Sequence, residues 1–217
     1  MSVSEDRTSV APATAASPIA DPAPLGLAAF ALTTFLLSAA NAHWMNGNAT
    51  GDAWLGYAFA YGGLAQLLAG MWEFRNRNVF GATAFSTYGG FWIGLGLWVL
   101  LVARQTRPAV AAGTAFLNHD LGWILLGFGI FTLYVTILVT QTNTALFTTF
   151  LLLLATIVVL AIGNFNAGSA LLPTGTIKIG GYLGLITALV AWYTSAAGMA
   201  AGIGGPLRLP VGPALVK

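Results

Sequence analysis

The stretch from Leu121 to Ile177 contains no charged residue, and this feature constrains the fold more than any other. A water-soluble globular chain carries about 25% charged residues, because its surface must interact favourably with water. Across all 217 residues only 6% are charged, whereas 57% are apolar. Most of the chain is therefore expected to be surrounded by lipid.

Apolar segments of membrane-spanning length recur along the chain. A helix needs about 20 such residues to cross a bilayer, and polar turns at residues 141–144 and 164–175 divide the long uncharged stretch. The segments are continuously apolar and lack the period of two that marks barrel strands. The sequence predicts an all-α integral membrane protein with six spans: Leu25–Met45, Ala53–Trp72, Val79–Ala103, Leu121–Thr140, Ala145–Gly163 and Ile179 to about Ile203.

The two ends of the chain differ from this membrane part. Residues 1–20 hold no large apolar cluster, so they are predicted to form a disordered cytoplasmic tail. Residues 204–217 are predicted to form a short second tail, which leaves 21–203 as the transmembrane domain. Ala40-Asn41-Ala42 has the form of a signal-peptidase site, but no basic segment precedes the apolar run. The first segment is therefore expected to remain as a span.

Lysine and arginine predict the orientation, because they favour the cytoplasmic side of a membrane. With both termini inside, five cations lie on the inner side and three on the outer side. Arg75 and Arg77 are the most informative, since they lie in the tightest loop. The sequence predicts cytoplasmic termini in a cell membrane; the other inner cations are Arg7, Arg208 and Lys217, and the outer ones are Arg104, Arg107 and Lys178.

Several function classes are disfavoured by what the sequence lacks. It has no cysteine, hence no disulfide, thiolate metal site or cysteine nucleophile. Its two histidines, His43 and His119, lie at predicted ends of spans, where solvated side chains are usual. The net charge of +2 is too small to indicate nucleic-acid binding. The sequence predicts a protein that is not an enzyme and has no metal, cofactor or nucleic-acid partner.

The polar groups inside the predicted spans are mostly neutral hydroxyls and amides. Many Ser and Thr hydroxyls in helices bond back to their own backbone, but the cluster from Thr83 to Gly90 is dense and includes two adjacent glycines. Neutral donors suit a small anion or its protonated acid, because they replace water without trapping the solute as a cation would.

Glu73 is the acidic residue closest to a predicted span interior. Gln66 lies two helical turns earlier on the same face. Two interpretations remain open at this point. Glu73 forms an interfacial ion pair with Arg75 or Arg77, or it is a pore-mouth group that interacts with a passing proton or solute.

Small residues recur at helical spacing, as at Gly90 and Gly94 and at Gly180 and Gly184. Such faces allow close packing of membrane helices. Two interpretations again remain open, since these faces pack within one bundle or form an interface between copies of the chain.

Three ordered blocks resemble a known family, the acetate uptake transporters, also called succinate–acetate permeases or YaaH-like proteins. The first block is Pro22-Ala23-Pro24-Leu25-Gly26-Leu27, continuing to Phe30 and Thr33-Thr34. The second is Tyr61-Gly62-Gly63 with Gln66 and Glu73, and the third is Phe80 to Phe85 with Tyr88-Gly89 and Phe91-Trp92. The likeness extends from about Asp21 to Gly198. Asp21 stands where the family signature has asparagine, a residue that also caps helices.

The resemblance implies six transmembrane helices per protomer, a hexamer, and a separate solute pathway in each protomer. The implied solutes are acetate and, in some members, succinate. A constriction would be formed by Phe30, Tyr88 and Leu153, with Leu152 or Leu154 as alternatives in the leucine run. Asp21 at the inner mouth and Ser38-Ala39-Ala40 late in the first span are departures that bear on anion and dicarboxylate passage.

The resulting interpretation is a channel or transporter for acetate and similar monocarboxylates, which passes its solute through an apolar constriction where the Tyr88 hydroxyl offers a hydrogen bond. Donors on either side are expected from Thr33, Thr34, Gln66, Thr87 and Asn164. The alternatives are a proton-coupled acetate/succinate symporter, and a non-transporting membrane sensor with the same fold.

Overall fold

The computed structural model describes residues 19–45, 53–103, 111–169 and 174–216, excluding the side chains of 111–114. Almost all of the predicted N-terminal tail lies outside these ranges, as do Arg104 and Arg107. Within them the chain forms helices and no strand. The helices are α1 (Ala23–Asn41), α2 (Ala53–Phe59), α3 (Gln66–Arg75), α4 (Val79–Trp98), α5 (Ala111–Val139), α6 (Thr144–Phe165) and α7 (Gly175–Ile203), with π-helical segments at Ala60–Ala65 and Val99–Ala103.

Five stretches within the described ranges are long and apolar enough to cross a membrane: Ala23–Asn41, Val79–Ala103, Ala115–Val139, Thr144–Phe165 and Gly175–Ile203. The predicted second span has no such continuous α-helix. It is helical from Ala53 to Arg75, but the π-helical segment Ala60–Ala65 separates α2 from α3. The wider turn lies where the chain approaches α1 closely, since a Cβ at Gly62 would lie 2.5 Å from Oγ1 of Thr33.

Some helix boundaries differ from those predicted. Helix α1 ends at Asn41, before the predicted Met45, and His43 then adopts a φ of 63°. Helix α5 begins at Ala111 instead of Leu121 and therefore includes His119. For α5 the prediction used the charged residue Asp120 as its limit, which marks where a helix can enter lipid, whereas the helix itself extends beyond it.

Side-chain caps begin two of the helices that follow tight turns. Oδ1 of Asn78 accepts a hydrogen bond from the Gly81 N–H (3.0 Å) and begins α4. Oδ1 of Asn143 accepts one from the Leu146 N–H (2.9 Å) and begins α6. Each bond satisfies a backbone donor that has no partner within the helix. Gly204, with a φ of 73°, ends α7 in the left-handed conformation that glycine adopts without strain.

The bundle brings α7 against α1 and α6, α6 against α5, and α3 against α4. Glycines make some of these contacts close: a Cβ at Gly180 would lie 2.6 Å from Leu160, and one at Gly184 would meet Oγ of Ser38. These two glycines therefore serve packing within the bundle. Gly90 and Gly94 are exposed and would have nothing near an added Cβ, so this face is open in a single chain.

The C-terminal segment after α7 lies against the turn between α5 and α6. The Ala145 N–H donates to the Val211 carbonyl (2.8 Å), and the Leu215 N–H donates to the Thr140 carbonyl (2.8 Å). The Thr144 hydroxyl donates to the carbonyl of Pro213 (2.8 Å). The segment predicted as a short tail is thus held to the bundle along residues 211–215.

Candidate functional site

Two cavities that share lining residues lie in the described part of the helix bundle. The larger has a volume of about 50 Å³ and the smaller about 20 Å³, where one water molecule needs about 10–15 Å³ on the same measure. Among the described residues the two cavities share three lining side chains, which are Phe30, Tyr88 and Leu153. The larger cavity is also lined by Thr34, Ser38, Asn41, Trp92, Phe128 and Thr156, and the smaller by Gln66, Phe85, Thr149 and Phe150.

The three shared residues come from three different helices, α1, α4 and α6. All three are buried, and the ring centroids of Phe30 and Tyr88 are 6.0 Å apart with 56° between the ring planes. Leu153, only 6% exposed, lines both cavities, whereas Leu152 and Leu154 are half-buried and line neither. The residues predicted to form a constriction therefore lie together between the cavities, and their role in transport stays a prediction.

Tyr88 is held in place by aromatic neighbours and by one hydrogen bond. Its ring centroid lies 5.4 Å from that of Phe131 and 6.2 Å from that of Phe150. Its hydroxyl oxygen lies 2.8 Å from Oγ1 of Thr132, and the Thr132 hydroxyl donates to the Phe128 carbonyl at 2.7 Å. The Tyr88 hydroxyl, which was expected to offer a hydrogen bond to the pathway, is thus bonded to Thr132, and its role towards a solute stays a prediction.

The larger cavity contains polar groups that have no partner within the described part of the chain. They are the Thr34 hydroxyl and the indole N–H of Trp92, both buried. Burying such a group without a partner costs about 1–3 kcal/mol. In contrast, the Thr156 hydroxyl is already bonded, as a donor to the Leu152 carbonyl (2.8 Å) and within 3.1 Å of Thr187 Oγ1. The buried Thr34 hydroxyl and Trp92 indole N–H thus differ from Thr156 in having no hydrogen-bond partner among the described residues.

Gln66 provides the corresponding group in the smaller cavity. Its side chain is 1% exposed, and its Oε1 finds no hydrogen-bond partner among the described residues. The neighbouring Thr149 hydroxyl is used, since it donates to the Ala145 carbonyl at 2.9 Å. The unpartnered atom is an acceptor, so it can take a hydrogen bond from water or from the O–H of a protonated carboxylic acid.

The structure does not bring the other predicted vestibule residues to these cavities. The Thr33 hydroxyl donates to the Ala29 carbonyl (3.1 Å) and packs against Gly62 at the contact between α1 and the π-helical segment. The Asn164 amide donates to the Leu160 carbonyl (2.9 Å). Thr87 is half-buried and lines neither cavity. All three residues lie within membrane helices, but none of their side chains lines either cavity.

Glu73 lies at the corner between α3 and α4, away from both cavities. It is 0% exposed, and its Oε2 accepts a hydrogen bond from Nδ2 of Asn76 at 3.0 Å. Its Oε1 has no hydrogen-bond partner within the described ranges. Glu73 thus forms no ion pair with Arg75 or Arg77 among the described residues, where its polar neighbours are the side chains of Asn76 and Asn78.

Asp21 keeps the capping role expected of the asparagine that it replaces. Its Oδ1 accepts a hydrogen bond from the Ala23 N–H at 3.0 Å, at the beginning of α1.

Sequence reasoning missed two residues of the site, Trp92 and Thr132. Trp92 belongs to the third block of the family resemblance, but no spacing rule distinguishes a tryptophan that lines a cavity from one that faces lipid.

These features define a multi-pass helical membrane protein with paired internal cavities. The sequence profile of the GPR1/FUN34/yaaH family matches residues 6–213. The chain therefore belongs to this family, and the predicted membership is confirmed.

Relatives and a solved structure agree with this assignment. The chain is 40% identical to acetate permease A of Emericella nidulans over 185 residues, covering 83% of this chain and 62% of the relative. It is 35% identical to the succinate-acetate/proton symporter SatP of Escherichia coli K12, covering 81% and 86%. The solved structure of the bacterial acetate channel SatP aligns with a TM-score of 0.76 at 31% identity, covering 89% of this chain and 99% of the channel.

Another relative is the accumulation of dyads protein 2 of Saccharomyces cerevisiae, 41% identical over 181 residues. This chain spans 62% of the length of that yeast protein, the same share as for the E. nidulans permease. The match to the solved channel covers nearly the whole of that structure, so the shared part is the helical bundle that holds the two cavities.

Proposed function

We propose that this protein lets acetate and similar short monocarboxylates cross a cell membrane, with transport and not catalysis as its activity. The route runs through the larger cavity, the constriction of Phe30, Tyr88 and Leu153, and the smaller cavity. The observation that carries this proposal is that the two cavities share these three side chains. The printed names of the relatives, acetate permease and acetate channel, support the same solute.

The buried groups without partners support a carboxyl-binding role on each side of the constriction. Thr34 and Trp92 line the larger cavity and carry an O–H and an N–H without a partner, and Gln66 lines the smaller and carries an unpartnered amide oxygen. None of them is charged, so a bound carboxyl group gains hydrogen bonds without the strong attraction that would retain it. Such sites bind the solute weakly enough to release it, so they favour transport over retention of the solute.

A proton-coupled acetate/succinate symporter is the second candidate, and the name of the E. coli relative favours it. A membrane sensor that keeps the fold without transport is the third. Uptake of labelled acetate into proteoliposomes, with and without an imposed pH gradient, distinguishes the three. We expect acetate uptake above that of protein-free vesicles. Uptake that requires the gradient would favour symport, and no uptake would contradict both transport candidates.

Solute size gives an independent test of the narrow route. Acetate and propionate should pass, whereas citrate should not, because its three carboxyl groups would lose hydration with too few donors to replace it. Citrate uptake equal to acetate uptake would contradict the narrow constriction while leaving the transport activity itself in place.

The proposed assembly has six spans per protomer, with 53–75 as the second, both termini in the cytoplasm, and six protomers with one route in each. The helical path from Ala53 to Arg75 supports the second span, and the open face at Gly90 and Gly94 supports contact between copies. Residues 21–203 would form the transport domain. Protease accessibility of epitope tags at the two termini in sealed inside-out and right-side-out vesicles tests the orientation.

A further inference from the structure

The proton of the Tyr88 hydroxyl can be located from two hydrogen bonds. A threonine hydroxyl has one proton to donate, and that of Thr132 donates to the Phe128 carbonyl at 2.7 Å. The oxygen of Thr132 can then only accept from Tyr88, 2.8 Å away. The Tyr88 proton is therefore directed into the contact with α5.

This arrangement leaves the constriction without a donor. Phe30 and Leu153 have none, and the proton of Tyr88 is used by Thr132. A carboxylate, which only accepts hydrogen bonds, would lose its hydration there without replacement, at a high cost. A protonated carboxylic acid carries no net charge, and its O–H can donate to a lone pair of the Tyr88 oxygen.

We propose that Thr132 is a positioning residue that withholds the Tyr88 proton from the pathway, so that the constriction passes the protonated carboxylic acid and resists the carboxylate. The inference rests on the proposed transport function. Polar groups in both cavities would bind the carboxyl group. The proton would cross the constriction, which has no donor, as part of the solute itself.

Titratable groups of the protein do not supply that proton at the constriction. Among the described residues that line the two cavities, Tyr88 is the one side chain with a titratable group. The residues packed on its ring from α1, α5 and α6 are Phe30, Phe131 and Phe150. Tyr134 lies three residues after Phe131 on α5. Its ring packs against the ring of Phe131 at a centroid distance of 5.2 Å, and its side chain is half-exposed.

The test compares the potential-driven part of acetate uptake in Thr132→Val with that in the wild type. Proteoliposomes are held at one pH, a potassium gradient with valinomycin sets the membrane potential, and uptake by protein-free vesicles is subtracted. Wild-type uptake should not respond to the potential, because the neutral acid carries no charge. In Thr132→Val the freed Tyr88 proton should make a potential-driven component measurable, because one hydrogen bond of about 1.4 kcal/mol eases passage of the carboxylate about tenfold.

Matched variants separate positioning from packing. Thr136→Val removes a buried hydroxyl one turn along α5, which donates to the Thr132 carbonyl at 2.7 Å, lies 3.3 Å from the Phe150 carbonyl and is not hydrogen-bonded to Tyr88. It should leave uptake independent of the potential. Thr132→Ser keeps the hydroxyl and should restore wild-type behaviour. In a Tyr88→Phe background, adding Thr132→Val should produce no further potential dependence, since no proton remains to be released.

The outcomes are distinct. Wild-type uptake that follows the potential would overturn the inference alone, and this measurement needs no variant to fold. An effect of Thr132→Val that persists in the Tyr88→Phe background would overturn it as well, by showing a packing effect. If Thr132→Val is not recovered as a stable protein, Thr132→Ala provides the same loss of the acceptor. Absence of wild-type acetate uptake above that of protein-free vesicles would overturn the proposed function and this inference together.

Discussion

The rings of Phe30 and Tyr88 lie 6.0 Å apart, centroid to centroid, and both border the two cavities. One ring comes from α1 and the other from α4, while Leu153 of α6 completes the contact. The separation between the cavities is therefore set by packing among three helices of one chain. A pore on a symmetry axis would instead be lined by the same helix of each copy.

Leu153→Ala is expected to increase the rate of acetate uptake several-fold or to admit acids larger than propionate. The substitution removes side-chain volume from a position shared by both cavities, so the constriction becomes wider and easier to hydrate. Uptake of acetate, propionate and butyrate by proteoliposomes measures the change. Thermal unfolding in detergent should show a loss of stability below the roughly 2–5 kcal/mol of a fully packed site, because Leu153 already borders open volume.

The adjacent leucines provide the control. Leu152 and Leu154 are half-buried and line neither cavity, so Leu152→Ala and Leu154→Ala should leave solute selectivity unchanged. If one of them changes selectivity and Leu153→Ala does not, the constriction has been assigned to the wrong leucine of α6.

Trp92→Phe is expected to raise the KM for acetate by about tenfold, with a smaller effect on the maximal rate. Trp92 lines the larger cavity and its buried indole N–H has no partner among the described residues, and a hydrogen bond to a charged group contributes about 1.5–3 kcal/mol. Trp54→Phe is the matched control, since Trp54 is equally buried and packs 6.5 Å from Trp92 but does not line the cavity. Equal effects of the two substitutions would assign Trp92 to packing only.

How far sequence reasoning reaches depends on the kind of signal. The membrane helices follow from uncharged length, because lipid imposes a requirement that any local window of residues reveals. The break at Ala60–Ala65 was not predicted, since a π-helical segment depends on a close contact with Thr33 of a different helix. The helix ends were displaced for a similar reason, because hydropathy marks the membrane boundary and not the end of helical hydrogen bonding.

The site residues also divide into those that the sequence indicates and those that depend on contacts between helices. Phe30 and Tyr88 could be named because they lie in dense blocks that resemble the family, whereas Thr33, from the same block, faces Gly62 instead of a cavity. The bond between Tyr88 and Thr132 joins positions 44 residues apart. No property of either residue alone indicates that contact, so three-dimensional packing was needed to find it.

Glu73→Gln is expected to leave the pH dependence of acetate uptake unchanged. Glu73 lines neither cavity, and in the proposed mechanism the proton enters on the acid. The glutamine also keeps an oxygen for Asn76. Glu73→Ala, in contrast, should destabilise the fold by about 1 kcal/mol, because the half-buried amide of Asn76 loses its acceptor. Uptake across a series of external pH values and thermal unfolding measure the two effects. A flattened pH profile in Glu73→Gln would identify Glu73 as a proton carrier.

The last prediction concerns assembly through the open face of α4. Gly90 and Gly94 are exposed, one turn apart, with no atom near an added Cβ, and small residues let membrane helices approach closely. The mass of the wild-type protein in detergent, after correction for bound detergent, should be close to six times 22.5 kDa. Gly94→Leu should reduce that mass to smaller species while the fold of each protomer is retained, because its side chain meets nothing within the protomer.

Two further glycines make that result interpretable. Gly127 of α5 is also exposed with open space around it, so Gly127→Leu adds the same bulk to a different outer face and should leave the mass unchanged. Gly184→Leu should instead prevent folding, since an added Cβ there meets Ser38 of α1. A wild-type protein that is monomeric and still takes up acetate would contradict the assembly, yet the route through one protomer would stand, because Phe30, Tyr88 and Leu153 all belong to one chain.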